Sequence, residues 1–210
     1  MKRLLYIMML VCQAVVADPN NELFSGEVCN PMVRPELVKI YENFNKTAIS
    51  ANFVQKSFVK ALKKDLLCKG RIFFAPNEGI IWETDSPYTQ CLYITKSGEV
   101  YEKDKSDPIG SFRYASLMSE MIHSGADKLS DAFEIYFRED GANWLLGLKP
   151  KKRIIGKFIR NIVITGDKSG RLNEVIIMGE EDKISEISFQ NHQFPPAEEV
   201  KRVHEIFSQK

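Results

Sequence analysis

Apolar and polar residues repeat along this chain with two different periods. From Gly70 onward the period is mostly two. In "RIFFAPNEGIIWETDSP" two short runs rich in Ile, Phe and Trp flank a turn of Pro76, Asn77, Glu78 and Gly79, which predicts a β-hairpin. Strands over residues 80–84, 91–95 and 99–103 are separated by "DSP" and "KSG", both turn chemistry. Farther on, Phe133–Phe137 and Trp144–Leu148 flank "REDGA", where Asp140-Gly141 signals a tight hairpin. "RNIVITGDKSGRLNEVIIMGEEDKISEISF" adds two turns, at Asp167–Gly170 and Glu180–Asp182.

Elsewhere the period is helical. Leu37, Ile40, Tyr41, Phe44 and Ala48 follow Pro35 and predict a helix over residues 36–50, with a first strand from Asn52. Leu117, Met118, Met121 and Ile122 predict another helix stopped at Gly125, and Asp127–Ala132 a short one after it. Beyond Pro195-Pro196, Val200, Val203, Ile206 and Phe207 fall on one side of a helix over about residues 197–208. Nine to eleven short strands with helices before, among and after them predict a mainly β, α+β fold. Its sheet should be a curved antiparallel sheet or barrel, with helices covering one face or closing one mouth.

The first residues change the picture of where this fold works. Lys2 and Arg3 precede an apolar stretch, Leu4–Cys12, and Val15-x-Ala17 supplies small residues. That reads as a secretory signal peptide over residues 1–17, cleaved near Ala17 and too short to span a bilayer. A lipidated Cys12 is disfavoured by Val11 before it. Residues 18–210 are then expected to form one domain. Cleavage removes Lys2, Arg3 and no acidic residue, taking the net charge from +1 to about −1, without the basic face that a nucleic-acid partner demands. Cys29, Cys68 and Cys91 remain, an odd number for an oxidising compartment. The hairpin turns bring Cys68 and Cys91 toward one end of the sheet. A bridge between them, a bridge to Cys29, and three buried thiols are all open readings. Their spacing fits no metal site.

No catalytic constellation stands out. G-x-S-x-G, H-E-x-x-H, the phosphate-binding G-x-x-x-x-G-K-[ST] and C-x-x-C are absent, and His123, His192 and His204 are well separated. Glu180-Glu181, Glu198-Glu199 and "KPKKR" at 149–153 read as solvated charge, the last alternatively as a contact for an anionic surface. What remains is apolar surface. Ile80 and Trp82 share one face of their strand, as do Ile72 and Phe74 of theirs. That face is either ordinary core or the wall of an apolar cavity.

"ANFVQKSF", "GRIFFAPNEGIIWETDSP" and "YITKSGEVYEKD" together resemble the LolA family of periplasmic lipoprotein carriers. The matching positions are Phe53, Gln55, Gly70, Ile72, Phe74, Pro76, Ile80, Trp82, Pro87, Gly98 and Tyr101. "NWLLGLKP" is similar to the family's Trp-x-Leu-x-Leu-x-Pro, on Trp144, Leu146, Leu148 and Pro150. The resemblance implies an open antiparallel half-barrel whose helices lid a hydrophobic cavity, working as a monomer without catalytic residue or cofactor. Its cargo would be an acylated lipoprotein or other lipid, taken from an inner-membrane ATP-driven exporter and passed to an outer-membrane acceptor. On that reading Ile72, Phe74, Ile80, Trp82 and Tyr93 are cavity wall, while Leu117, Met118 and Met121 form the lid, the methionines suiting a surface that adapts to flexible cargo. Two departures stand out. Ala75 occupies the place of an arginine that helps hold the family's lid, and the segment after residue 190 is unlike the family's. The Gly79–Thr84 strand looks closer to LolA-like proteins linked to other acyl lipids or pigment precursors. A ligand-sensing envelope regulator is the rival from another class.

Overall fold

The computed structural model describes residues 19–30, 34–44, 46–59, 63–103, 125–179 and 183–209. Two helices come first, α1 (Pro19–Phe24) and α2 (Pro35–Phe44). Five strands follow: β1 (Ile49–Val59), β2 (Lys64–Ala75), β3 (Gly79–Ser86), β4 (Gln90–Thr95) and β5 (Val100–Glu102). Helix α3 (Gly125–Ala132) leads into β6 (Phe133–Asp140) and β7 (Asn143–Pro150), and a single turn, α4 (Arg153–Gly156), into β8 (Asn161–Asp167). Strands β9 (Leu172–Met178) and β10 (Lys183–Gln193) then precede the last helix, α5 (Ala197–Phe207).

All ten strands belong to one sheet in the order β5-β4-β3-β2-β1-β10-β9-β8-β7-β6, and every neighbouring pair is antiparallel. The two ends, β5 and β6, are not paired with each other, so the sheet is open. Sequential strands are neighbours in the sheet except β5 and β6, which form its two ends, and the pairing of β1 with β10 joins the two halves.

Side chains alternate cleanly between two faces. Ile72, Phe74, Ile80, Leu92, Ile94 and Val100 on one wing, and Phe133, Ile135, Leu146, Leu148, Ile162 and Ile164 on the other, belong to one contiguous buried cluster. A flat ten-stranded sheet would be roughly 43 Å wide at about 4.8 Å per strand, too broad for its edges to share a core. The sheet is therefore curled, and this cluster marks its inner face. Helices α2 and α3 cover it through Leu37, Ile40, Leu129 and Ala132, and they pack against one another.

The outer face is apolar as well, in two patches. On the β6–β9 wing, Tyr136, Leu145, Val163 and Ile176 are covered by Leu23 and Phe24 of α1. On the β2–β5 wing, Phe73, Ala75, Ile81, Tyr93 and Tyr101 are covered by Val203 and Phe207 of α5. The Cys29 N–H donates to the Ile135 carbonyl at 2.7 Å, so the chain after α1 runs beside part of the β6 edge and blunts it.

Several boundaries differ from those expected. Helix α2 ends at Phe44, not Ser50, because Ile49 and Ser50 are already paired with Phe74 and Phe73 of β2. Gly125 is the first described residue of α3, and the helix expected on Leu117, Met118, Met121 and Ile122 lies outside the described residues. All of the charged "KKDLLCKG" stretch except Lys63, a turn residue, is strand, in register with β1 from Val59 opposite Lys64. None of Cys29, Cys68 and Cys91 is in a disulfide. Cys68 lies in the inner cluster while Cys91 packs against the outer one, with β3 between their strands, so a bridge between these two is excluded.

The β8–β9 turn shows how one side chain replaces missing backbone partners. Asp167 accepts from the Ser169 N–H at 2.9 Å, the Arg171 N–H at 3.1 Å and Arg171 Nε at 2.8 Å, while Gly170 takes φ +86°. Burial alone would raise the Asp167 carboxyl. The hydrogen bonds from Ser169 and Arg171 and the guanidinium charge more than offset it and hold the group below its ordinary value. A depressed folded-state value stabilises the fold above the unfolded carboxyl's range and loses that contribution as pH falls. Asp167→Asn should therefore be less stable near neutral pH, by about 1 kcal/mol, with the gap closing as urea titrations move down through the carboxylate range. Gly70 is a second sensitive point, since a Cβ there would strike the Glu83 carbonyl on β3. Gly70→Ala should cost about 1–3 kcal/mol in urea unfolding with an unchanged slope.

Candidate functional site

The inner face is built from strand register. Ile72 stands opposite Trp82 and Phe74 opposite Ile80, while Trp82 and Ile80 stand opposite Leu92 and Ile94. On the other flank of β2, Ile72 faces Ala51 and Gly70 faces Phe53. The Phe53 and Trp82 rings meet at 4.5 Å between centroids with a 44° tilt, although β2 separates their strands. Gly70, opposite Phe53, lies between the two strands, and a Cβ there would strike the β3 backbone at Glu83 and Thr84. The motif glycine is thus explained by the close approach of β3 to β2.

Four of the five expected wall residues share this face. Ile72 and Ile80 are fully buried, Phe74 nearly so, and Trp82 is half-buried against the cluster. Tyr93 does not join them. Since Leu92 and Ile94 pair with inward residues of β3, Tyr93 between them points outward. There it stacks edge-on with Phe207 at 6.3 Å and lines a pocket of about 330 Å³ with Phe73, Ile81, Val203, Ile206, Arg71 and Arg202. The expected lid residues Leu117, Met118 and Met121 lie outside the described residues, as do residues 1–18. Among the described residues the cover over this face comes from α2 and α3.

Sequence reasoning missed the far half of the face. Ile135, Leu148, Ile162, Ile177, Ile187 and Phe189 extend it across β6–β10. Their signal was the period-two alternation in "FEIYF", "WLLGL" and "NIVIT", which shows that two apolar faces exist but not which one turns inward.

Polar chemistry on this face is sparse, with Glu102 opposite Leu92 near the β5 edge and an uncharged group where β1 meets β10. Gln55, of the Phe-x-Gln motif, donates from Nε2 to Ser57 Oγ at 3.0 Å and to Ser185 Oγ at 3.1 Å, and the two hydroxyls lie 3.1 Å apart. Ser185 is buried. The described histidines sit elsewhere. His192 Nε2 is 2.7 Å from the Leu172 carbonyl, and His204 Nδ1 is 2.6 Å from Glu78 Oε1 near the outer end of α5. "KPKKR" is likewise occupied structurally, with Lys149 paired to Glu134 and Lys151 Nζ donating to the Ser130 carbonyl.

The residue at the family's arginine position has a clear fate. Ala75 is buried on the outer face in the cluster that includes Phe207, and a Cβ on neighbouring Gly79 would strike that same ring. A longer side chain at position 75 would have to displace α5.

The architecture is the open antiparallel half-barrel that the sequence resemblance implies. An open, all-antiparallel sheet is apolar across its inner face, and helices cover that face. No family model and no curated protein matches the sequence. Solved structures of similar outline include the Pseudomonas aeruginosa MucA/MucB complex, with TM-score 0.49 and 10% identity over 79% of this chain and 59% of that one. A LolA superfamily protein from Nitrosomonas europaea has TM-score 0.44 and 12% identity over 80% and 95% of the two chains. A DUF1329 family protein from Desulfovibrio piger has TM-score 0.36 and 12% identity over 80% and 95%. This chain spans about three-fifths of the MucB chains it matches.

Ala75→Arg should bury an unpaired guanidinium beneath α5 and cost at least about 2 kcal/mol. Urea unfolding measures that loss, and limited proteolysis should show α5 released first.

Proposed function

We propose that this protein is a periplasmic carrier without a catalytic role, shielding the acyl chains of a lipoprotein against the inner face of its sheet. It would receive the lipoprotein from an inner-membrane ATP-driven exporter and release it to an outer-membrane acceptor. The observation that carries this reading is the contiguous apolar cluster, with members on all ten strands and covered, among the described residues, by separate short helices rather than by a second sheet. Exposing an acyl chain to water costs about 0.8 kcal/mol per CH2, so cargo with several chains needs such a surface to cross an aqueous compartment. Helices α2 and α3 are small enough to be displaced by cargo while the ten-stranded ladder stays intact. Release then follows when they reclose over the inner face. The uncharged Gln55–Ser57–Ser185 group suits the ester and amide carbonyls at the root of acyl chains, which need hydrogen-bond donors but no counter-charge.

The test uses the full chain, exported and purified from a periplasm without detergent. Native mass spectrometry should find acylated species bound, and their masses separate a lipoprotein from a free lipid or pigment precursor. A photo-crosslinking residue at Trp82 should capture that species, whereas the same residue at Tyr93 should not. Protein that carries no acylated species and crosslinks none from position 82 would overturn the proposal.

A further inference from the structure

We infer that the far end of the β1–β2 hairpin is a membrane-contact element that docks the protein on an anionic lipid bilayer. Strand register shows that this end projects beyond its neighbours. β1 pairs with β10 only as far as Ser57, and β2 pairs with β3 only from Lys69. Phe58, Val59, Lys64 and Asp65 therefore form a two-stranded end, and residues 66–68, whose β1 partners still pair with β10, continue the ribbon without a β3 partner.

That ribbon carries three of the large apolar side chains most open to solvent. Phe58 is 42% exposed, Leu66 37% and Leu67 50%. In a folded chain whose other strands bury their apolar positions, such a group marks a surface meant to be covered. Its distribution says by what. Phe58 and Leu67 lie on the outer side of the ribbon and Leu66 on the inner side, by the alternation that places Phe53 and Cys68 inward. A protein partner covers one face of a strand pair. Apolar groups on both faces of a projecting ribbon call for a medium that surrounds it, which the interfacial zone of a bilayer does.

Charge specifies the kind of bilayer. Residues 56–69 contain five lysines and one acidic residue, Asp65. Lys56 is paired with Asp65 at 3.1 Å and has Glu186 of β10 opposite it. Lys63, Lys64 and Lys69 are exposed and supply the surplus. Long lysine stems can lie along the apolar groups while their ammonium ends reach lipid phosphates. The inference rests on this hairpin alone and is independent of what the inner face carries.

Flotation of the full chain with vesicles tests it, using phosphatidylglycerol mixed with phosphatidylcholine and, separately, pure phosphatidylcholine. Binding should appear on the anionic vesicles, weaken at high salt, and fall more than about tenfold in Lys63→Gln/Lys64→Gln. Phe58→Ser/Leu67→Ser should remove the part of binding that resists salt. Circular dichroism and urea midpoints confirm that both variants fold. In Leu67→Trp, anionic vesicles should shift the emission to the blue as the indole leaves water. No binding to anionic vesicles would overturn the inference, as would binding unchanged in both double variants or no shift from a tryptophan at position 67.

Discussion

A sheet that is apolar on both faces must be covered on both, and every other feature of this fold answers that demand. The inner face is the larger problem, because it runs unbroken from β5 to β6. Curling turns this face into a concave surface, and among the described residues α2 and α3 cover it. The outer face divides into two patches, one under α1 and one under α5. Helices thus sit on both sides of one sheet for different reasons. Those outside seal ordinary core, whereas those inside lie over a continuous surface of the kind an acyl chain would choose.

The outer seal explains how the chain departs from the family it resembles. Ala75 and the tail after residue 190 look like unrelated differences in the sequence, yet they meet in space. The tail folds into α5, α5 places Phe207 over Gly79 and into the cluster of Ala75, and a long charged side chain at position 75 would have to displace α5. Any arrangement that holds the inner helices closed through an arginine there is unavailable to this chain. Among the described residues, the helices that touch the inner face do so through Leu37, Ile40, Leu129 and Ala132.

Strands β1 and β2 connect the two surfaces proposed to act. At one end they present Phe53 and Ile72 to the inner face, and at the other they project Phe58 and Leu67 into solvent. A paired ribbon is stiff along its length, so docking through its tip would also orient the inner face relative to the bilayer. A carrier that exchanges lipid-modified cargo with a membrane needs that orientation.

By itself the sequence determined the inventory of this fold. Period-two alternation marked the strands, Asp140-Gly141 and the Asp167–Gly170 segment marked turns, and the tail's apolar spacing marked α5 almost to its ends. All of these are local signals, carried by residues a few positions apart. It could not say which side of a strand faces inward, because alternation is symmetric and a shift of one residue exchanges the faces. Ile80, Trp82 and Tyr93 therefore looked equivalent until the pairing of Trp82 with Leu92 put Tyr93 outside. Nor could it say that "KKDLLCKG" would be a projecting strand, since that depends on where β10 and β3 stop pairing with the hairpin. Those choices belong to the tertiary structure, which alone brings residues from distant parts of the chain into register.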